Sequence, residues 1–280
     1  MYLCRKKIEK GMKKSMLHIL PLWLLAATLL GISSCGMFSH ESVVVETVQD
    51  STSYSEPGKP SVTAVFDVDY PESGDPLMVR SVKQWMGSLL NLTDTTAMAG
   101  AERFAEAFFK QNETGREMLK NHPKGYEYRL TVRKVDETAA YVTFVITTLH
   151  IDGKNEQSAR YGATFVKPTG KIFGYDMFDN QHPRTMAVWV MQGLQSFYNV
   201  DSFEELTALI GAKHFSSMDQ GVNRMPEAAP WIEDNEVVFQ YAQDELLTHD
   251  NTLPQARVSL SKARELFSAD FQRALDEASK

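Results

Sequence analysis

Three consecutive apolar runs constrain the fold of this chain more than any other feature. They span Tyr126–Val135, Ala140–His150 and Ala159–Val166, and they alternate β-branched or aromatic residues with polar ones. Such alternation is typical of strands that bury one face. Turn sequences separate the runs, Asp136-Glu137-Thr138 and Asp152-Gly153-Lys154. The sequence therefore predicts an antiparallel meander, and the expected fold class is α+β, with helices packed on an antiparallel sheet.

The flanking sequence predicts helices and strands that pack on this meander. A strand, Val62–Tyr70, ends at Pro71, which cannot donate to an internal ladder. A helix follows, with Asp75 as N-cap and Pro76 in its first turn, and residues 112–124 predict another helix and loop. The other predicted elements are helices Met98–Lys110, Arg184–Tyr198 and Phe203–Ile210, strands Trp231–Tyr241 and Gln255–Leu260, and an amphipathic segment Leu266–Leu275. Asp201 or Ser202 is the expected N-cap of the helix Phe203–Ile210.

The N-terminus predicts export and a lipid anchor. Residues 1–34 combine a basic start, an apolar run and small residues, which together are typical of a secretory signal peptide. Ile32-Ser33-Ser34-Cys35 resembles the bacterial lipobox, so we expect Cys35 to be lipidated and to become the first residue. An ordinary signal peptide or an uncleaved anchor is the alternative. Gly36, where an aspartate would retain an inner-membrane lipoprotein, favours the outer membrane of the cell envelope.

The composition of the rest of the chain predicts a tether followed by a folded domain. Residues 35–60 are rich in Ser, Thr, Glu, Gly and Pro around Val43-Val44-Val45, which predicts a flexible tether that could add an edge strand. Residues 61–280 form the predicted domain, with a strand–helix part over 61–124 and a second part over 125–280. We expect the tether to hold this domain clear of the membrane.

The charge of the chain argues against nucleic acid as a partner. Its formal charge is −7, and six basic and one acidic side chains precede Cys35, so the mature chain would carry −12. A protein of that charge without a basic patch repels polyanions. No two of the seven histidines lie close in sequence, and no cysteine cluster or phosphate-binding loop is present. We therefore expect neither a cofactor nor a metal site.

Two further patterns leave alternatives open. Acid pairs such as Asp67 with Asp69, or Asp176 with Asp179, could flank a glycosidic bond in a hydrolase, although a solvated acidic face is the simpler interpretation. The tripeptides that contain Ser51 and Thr95 resemble O-glycosylation acceptors. Four residues are candidates for a stacking or protein-binding surface, with core packing as the alternative: Arg160, Tyr161, Trp231 and Tyr241.

The order of short motifs between Val62 and Phe267 resembles a known family. These motifs are Tyr70-Pro71, Thr164-Phe165, Thr169-Gly170-Lys171, Met177-Phe178, Val237–Tyr241 and Val258–Leu260. They are similar to the extracytoplasmic module shared by the RsiV anti-sigma factors and the peptidoglycan deacetylase PdaC, domain-of-unknown-function family 3298. In RsiV this module binds lysozyme, and in PdaC it accompanies a separate catalytic domain. The resemblance implies an envelope lipoprotein that binds or senses an extracytoplasmic protein, lysozyme-like, or a glycan, without chemistry of its own.

Two segments depart from the family pattern and are the predicted binding loops. One contains Lys154, Asn155 and Glu156 in place of a glycine-rich turn with a histidine; the other contains Asp244 and Glu245 in place of an apolar stretch. We expect these five residues to contact the partner, together with Arg160, Tyr161 and Trp231. The competing function is a carboxylate-based hydrolase acting on peptidoglycan or polysaccharide.

Overall fold

The structure is a computed structural model that describes residues 41–55, 57–58, 60–119, 125–179, 181–247 and 252–277. The predicted signal peptide and the lipidation of Cys35 fall outside the described residues and stay predictions. The described residues belong to one compact unit.

A five-stranded sheet in the order β1-β2-β3-β4-β5 carries the domain. Its strands are β1 (Val44–Tyr54), β2 (Val62–Ser73), β3 (Tyr126–Glu137), β4 (Tyr141–Asp152) and β5 (Asn155–Val166). The last three strands form the predicted meander, joined at its second hairpin by the two-residue turn Gly153-Lys154, where Gly153 adopts a φ of +61°. The α+β prediction is confirmed. However, β2 and β3 run parallel, because a helical crossover separates them in the chain.

Residues 44–54 form the edge strand that the sequence allowed for, but it is longer than Val43-Val44-Val45, so the flexible tether predicted over residues 35–60 does not include them. Residues 44–54 pair with β2 along their whole length, and Val43 is fully buried at the start of the strand. β2 also continues past Pro71 to Ser73. Proline is accommodated there because the β3 side of β2 is paired only as far as Val68.

In the described part of the chain, seven helices surround the strands. They are α1 (Pro76–Leu89), α2 (Asp94–Ala97), α3 (Ala101–Leu119), α4 (Pro183–Tyr198), α5 (Phe203–Ile210), α6 (Leu260–Ala263) and α7 (Ala269–Glu277), with single 3₁₀ turns at Tyr175–Met177, Ala212–His214 and Arg264–Leu266. The predicted caps are confirmed: Asp75 accepts from the amides of Leu77 and Met78, and Ser202 from that of Glu205. α3 runs through residues 112–119, where a separate helix was expected.

One face of the large sheet packs against α1 and α3. The core between these layers includes Phe66, Phe104, Phe108, Phe144 and Phe165, all at most 1% exposed. In α1, Met78 is buried against this core, whereas Leu77 and Leu89 are exposed.

The opposite face of β4 and β5 meets a second layer made by the C-terminal third of the chain. There β8 (Trp231–Glu233), β9 (Glu236–Gln240) and β10 (Gln255–Ser259) form a three-stranded antiparallel sheet, with a two-stranded ribbon, β6 (Phe215–Ser216) and β7 (Gly221–Val222), beside it. The predicted single strand Trp231–Tyr241 is in fact a hairpin. Asp234 and Asn235 both adopt positive φ, which produces a two-residue turn that splits the run.

A buried cluster of charged side chains links the start of β1 to the meander through hydrogen bonds. Lys167 is 2% exposed, and its Nζ lies 2.7 Å from Oε1 of Glu137. The same carboxylate accepts a hydrogen bond from the Val43 amide at 2.9 Å, and its other oxygen accepts from Nζ of Lys134 at 3.0 Å. Lys134 also donates to the Val43 carbonyl. Both polar backbone groups of Val43 are thereby satisfied by side chains of the meander.

Candidate functional site

A cleft of about 610 Å³ opens on the helical face of the sheet, where the strands extend past the helices. α1 ends at Leu89, and Asn91 turns the chain away with a φ of +54°. This leaves the far halves of β4 and β5 uncovered. Small side chains, Thr148 and Ala159, lie opposite each other in the floor. The cleft therefore results from the length of α1 and from the size of two strand residues.

The floor is a row of side chains set by strand register. Tyr128 pairs with His150 across β3 and β4, and His150 pairs with Gln157 across β4 and β5. Because alternate residues of a strand share a face, Tyr126 and Tyr161 lie on the same side as this row. All five side chains line the cleft.

Tyr126, Tyr128 and His150 form a fixed aromatic group. The Tyr126 hydroxyl lies 2.8 Å from Nδ1 of His150. The His150 ring lies edge-on to Tyr128, with ring centroids 4.6 Å apart and planes at 76°. Tyr128 in turn stacks on Phe108 of α3. Ring contacts of this kind restrict the orientation of each member, so the group presents one arrangement to a ligand.

Burial keeps this group uncharged near neutral pH. Burial, with a smaller contribution from Tyr126, raises the pKa of Tyr128 to about 12. Burial likewise raises the pKa of Tyr126, with Asp152 contributing, and lowers the pKa of His150. Either the Tyr126 hydroxyl or Nδ1–H of a neutral His150 can be the donor between them, depending on the imidazole tautomer. The cleft thus offers neutral donors and ring faces.

Amide side chains surround the aromatic floor. Gln111 and Asn112 of α3, Gln157 of β5 and Gln243 of the β9–β10 connection line the cleft. Asn112 donates its amide to the Phe108 carbonyl at 2.8 Å, which leaves its oxygen available to accept. Gln111 and Gln157 are exposed. Amides both donate and accept, and so they suit ligands rich in hydroxyl or amide groups.

Gln243 connects the two segments that the sequence identifies as binding loops. Its Oε1 accepts from the Ser158 amide at 2.8 Å, and its Nε2 donates to the Glu156 carbonyl at 3.2 Å. This side chain therefore pairs with the outer edge of β5 as a strand would. Gln243 thereby brings Asp244 beside Tyr161 at the rim of the cleft. The structure therefore brings together part of the set of predicted binding residues.

Several predicted binding residues have other roles. Trp231 is fully buried; its Nε1 donates to Glu233, and its ring lies under the Arg160 guanidinium, 5.2 Å away. Arg160 is paired with Glu233 at 2.7 and 2.8 Å. Tyr241 is 1% exposed. The surface role predicted for Trp231 and Tyr241 is wrong. Trp231 packs with Val145 between the two sheets, and Tyr241 belongs to the separate core that contains Phe239.

The predicted loop residues divide in the same way. Lys154 lies in the hairpin turn, but Asn155 and Glu156 are the first residues of β5, so that the predicted loop is mostly strand. Glu245 accepts from the amides of Ala242 and Glu227. It therefore shapes its own loop, whereas Asp244 is exposed at the cleft.

The floor residues Tyr126, Tyr128, His150 and Gln157 are not among the binding residues predicted from the sequence. A signal was present, because Tyr126 and Tyr128 are spaced by two within one strand and therefore share a face. Only the hairpin register places His150 opposite Tyr128, and that register could have been read from the Gly153-Lys154 turn.

The acid pairs considered for hydrolysis lie elsewhere. Asp67 and Asp69 both contact Arg133 on the face of the sheet away from α1 and α3. The hydrogen bond from Arg133 holds the pKa of Asp67 below its ordinary value, against the effect of burial, and a general acid needs the opposite shift. Within the described part of the chain, no group of three or more His, Cys, Asp or Glu could hold a metal, and no helix is suited to crossing a membrane.

Comparison with solved structures places this architecture among known folds. A DUF3298 family protein from Bacteroides fragilis superimposes with a TM-score of 0.66 over 86% of this chain and 100% of that one, at 9% identity. This chain has the DUF3298 fold. A second DUF3298 family protein, from Pseudomonas aeruginosa, matches with a TM-score of 0.56, over 82% of this chain and 96% of that one, at 10% identity. The resemblance seen in the sequence is thus confirmed at the level of the fold.

Sequence comparison adds nothing to this finding: neither a protein-family model nor a curated protein matches the chain. At such low identity, the DUF3298 likeness concerns the fold alone. The function must be argued from the cleft.

Proposed function

We propose that the domain binds a glycan in the aromatic cleft without changing it chemically. The observation that carries this proposal is the Tyr126–His150–Tyr128 group with its surrounding amides. Sugars present apolar C–H faces and hydroxyl edges, which fit ring faces and amide groups respectively. The cleft volume of about 610 Å³ lies within the range of ordinary ligand sites.

The cleft gives less support to the hydrolase alternative. Glycoside hydrolysis by the common mechanisms uses two carboxylates, about 5 to 9.5 Å apart. Among the described residues that line this cleft, Asp244 is the single carboxylate. The proposal therefore assigns Asp244 to ligand contact at the rim rather than to acid catalysis.

Titration calorimetry with soluble peptidoglycan fragments and with a panel of neutral oligosaccharides tests this function. Gln157→Ala should weaken binding of the ligand found by roughly tenfold, as expected for the loss of one or two well-placed hydrogen bonds. Gln84→Ala is the matched control, because Gln84 is exposed on α1 and does not line the cleft. Binding that is unchanged by Gln157→Ala and Gln111→Ala would place the ligand elsewhere.

The same fragments, incubated with the protein and then separated by chromatography, test for turnover. Unchanged fragments are expected. Release of new products that is abolished by Asp244→Asn would replace the binding proposal with the hydrolase.

We propose in addition that Cys35 attaches this domain by lipid to the cell envelope, with the outer membrane as its host. The signal-like segment and the lipobox-like sequence before Cys35 support this location. A surface receptor or a periplasmic sensor is consistent with a cleft that binds without chemistry.

A further inference from the structure

A second concavity, distinct from the cleft, lies along the outer edge of β5. It has a volume of about 450 Å³ and separates the strand from residues 227–229. We call it the edge slot. Arg160 and Gly162 line it from β5, and Ala228 and Ala229 line it from the opposite side.

Hydrogen bonding along β5 shows which backbone groups face this slot. In an antiparallel pair, successive residues turn their N–H and C=O groups alternately toward and away from the partner strand. The amides of Ser158 and Val166 point away from β4, since they bond to Gln243 and to the Lys171 carbonyl respectively. By the same alternation, Arg160 and Gly162 point their N–H and C=O groups outward. No described residue forms a hydrogen bond to these four groups.

Both ends of this edge are already paired. The Gln243 side chain occupies it at Glu156 and Ser158. At the other end, the Phe173 amide donates to the Thr164 carbonyl, and Ile172 bridges Phe165. The chain then leaves the sheet into the 3₁₀ turn at Tyr175–Met177. The backbone groups of Arg160 and Gly162 thus remain unpaired, between two ends of the β5 edge that are hydrogen-bonded.

The side walls of the slot differ in chemistry. On the helical side, Trp85, Leu89, Tyr161 and Ile172 line it, and the last three are exposed by about 40% each. On the other side, Glu227 and Glu245 line it. Glu227 is paired with Arg224, and the Glu245 carboxylate accepts two backbone amides. The Arg160 guanidinium is paired with Glu233.

We infer that the edge slot binds a short extended peptide, which adds to β5 as an extra strand. The outward groups of Arg160 and Gly162 would exchange backbone hydrogen bonds with it. An apolar side chain of the peptide would lie against Leu89, Tyr161 and Ile172. Residues on either side of that anchor would be neutral or basic, because Glu245 accepts only backbone amides among the described residues and so leaves one carboxylate in the slot without a basic partner.

This ligand is a peptide rather than a sugar because the free groups form a strand ladder, with the spacing that only another backbone repeats. The edge slot and the cleft share Tyr161, Leu89, Ala159 and Ala242 as a common wall. A peptide and a glycan could therefore be held side by side. The inference does not depend on the glycan proposal.

Selection from a displayed library of random decapeptides against the purified protein tests the inference. The selected peptides should share one apolar position flanked by neutral or basic residues. Amide hydrogen exchange should show that the best of them protects the amides of Arg160 and Gly162. N-methylation of the peptide amides that pair with β5 should weaken binding about tenfold or more, because the side chains are kept while the donors are removed.

A substitution on the opposite wall gives an independent check. Ala229 is exposed and lies outside the sheet, so Ala229→Trp should fill the slot, leave the fold intact and abolish peptide binding. Met218→Trp is the matched control, because Met218 is 98% exposed and does not line the slot. Glycan binding in the cleft should survive Ala229→Trp, which separates this inference from the proposed function.

Three results would overturn the inference. The first is a library that yields no peptide protecting the Arg160 and Gly162 amides. The second is full affinity after N-methylation. The third is concentration-dependent dimerisation that Ala229→Trp blocks, which would make a second copy of this chain the natural occupant of the edge.

Discussion

Replacing Lys167 with methionine should destabilise the domain strongly, although the substitution keeps most of the side-chain volume. Lys167 is 2% exposed and Glu137 is 12% exposed, with 2.7 Å between Nζ and Oε1. Removing one partner of a buried ion pair costs about 3 to 5 kcal/mol, because a charge is left uncompensated. We expect the lower end, about 3 kcal/mol, since Lys134 and the Val43 amide still contact the carboxylate.

Thermal and urea unfolding measure this loss. For a domain of this size, a destabilisation of about 3 kcal/mol lowers the melting temperature by roughly 6 to 12 °C. Lys154→Met is the matched control, because Lys154 is exposed in the hairpin turn, and its effect should stay within about 0.5 kcal/mol. The double variant Lys167→Met with Glu137→Leu should be more stable than the sum of the single losses predicts, since neither member of the Lys167–Glu137 pair is then left charged without the other, and Lys134 keeps its hydrogen bond to the Val43 carbonyl.

The pH dependence gives a second test of the same reasoning. Burial raises the pKa of Glu137, but hydrogen bonds from Lys167, the Val43 amide and Lys134 outweigh it, so the pKa lies below its ordinary value. A lowered acid pKa stabilises the fold above the unfolded pKa, and this stability is lost as pH falls through the folded pKa. The deficit of Lys167→Met should therefore be full at pH 7 and shrink below about pH 4. A deficit under 1 kcal/mol at pH 7, or one that does not change in acid, would refute the role assigned to this pair.

Three further predictions concern the boundary, a close contact and the anchor. A protein starting at residue 41 should unfold cooperatively, whereas one starting at residue 61 should be destabilised or aggregate, because it lacks β1 and the buried Val43; equal melting temperatures would contradict the assignment of β1 to the fold. Gly162→Ala should cost about 1 to 3 kcal/mol, because its Cβ would overlap the Trp231 ring, whereas Gly100→Ala, with open space around it, is the control for unfolding in urea. Cys35→Ser should abolish metabolic labelling with a fatty-acid analogue and release the protein from membranes; membrane retention after proven cleavage would count against the anchor.

The sequence predicted correctly those elements whose hydrogen bonds join residues close together in the chain. Asp75 and Ser202 cap helices where predicted, and the Asp152-Gly153-Lys154 turn sets the meander register. The Asp234-Asn235 turn could have been predicted in the same way. It was missed because apolar residues on both sides of it made Trp231–Tyr241 resemble one strand.

Features that depend on distant partners could not be predicted in this way. β1 shows little apolar alternation because it is an edge strand, exposed along much of its length, so its polar composition resembles that of a linker. The cleft exists because α1 ends before the ends of three strands. The relative position of these ends cannot be predicted from the sequence of the helix or of any one strand. The burial of Trp231 likewise depends on Gly162, 69 positions earlier in the chain, which leaves room for its ring.

The early start of β1 determines how far the domain can stand from a membrane. Eight residue steps separate Cys35 from Val43, and a fully extended chain of that length reaches at most about 26 to 29 Å. The β5 edge lies four strand spacings, roughly 19 Å, across the sheet from β1. If Cys35 carries the lipid, these two distances together limit the β5 edge to roughly 50 Å from the bilayer surface. Ligands must come within that distance of the membrane to be bound.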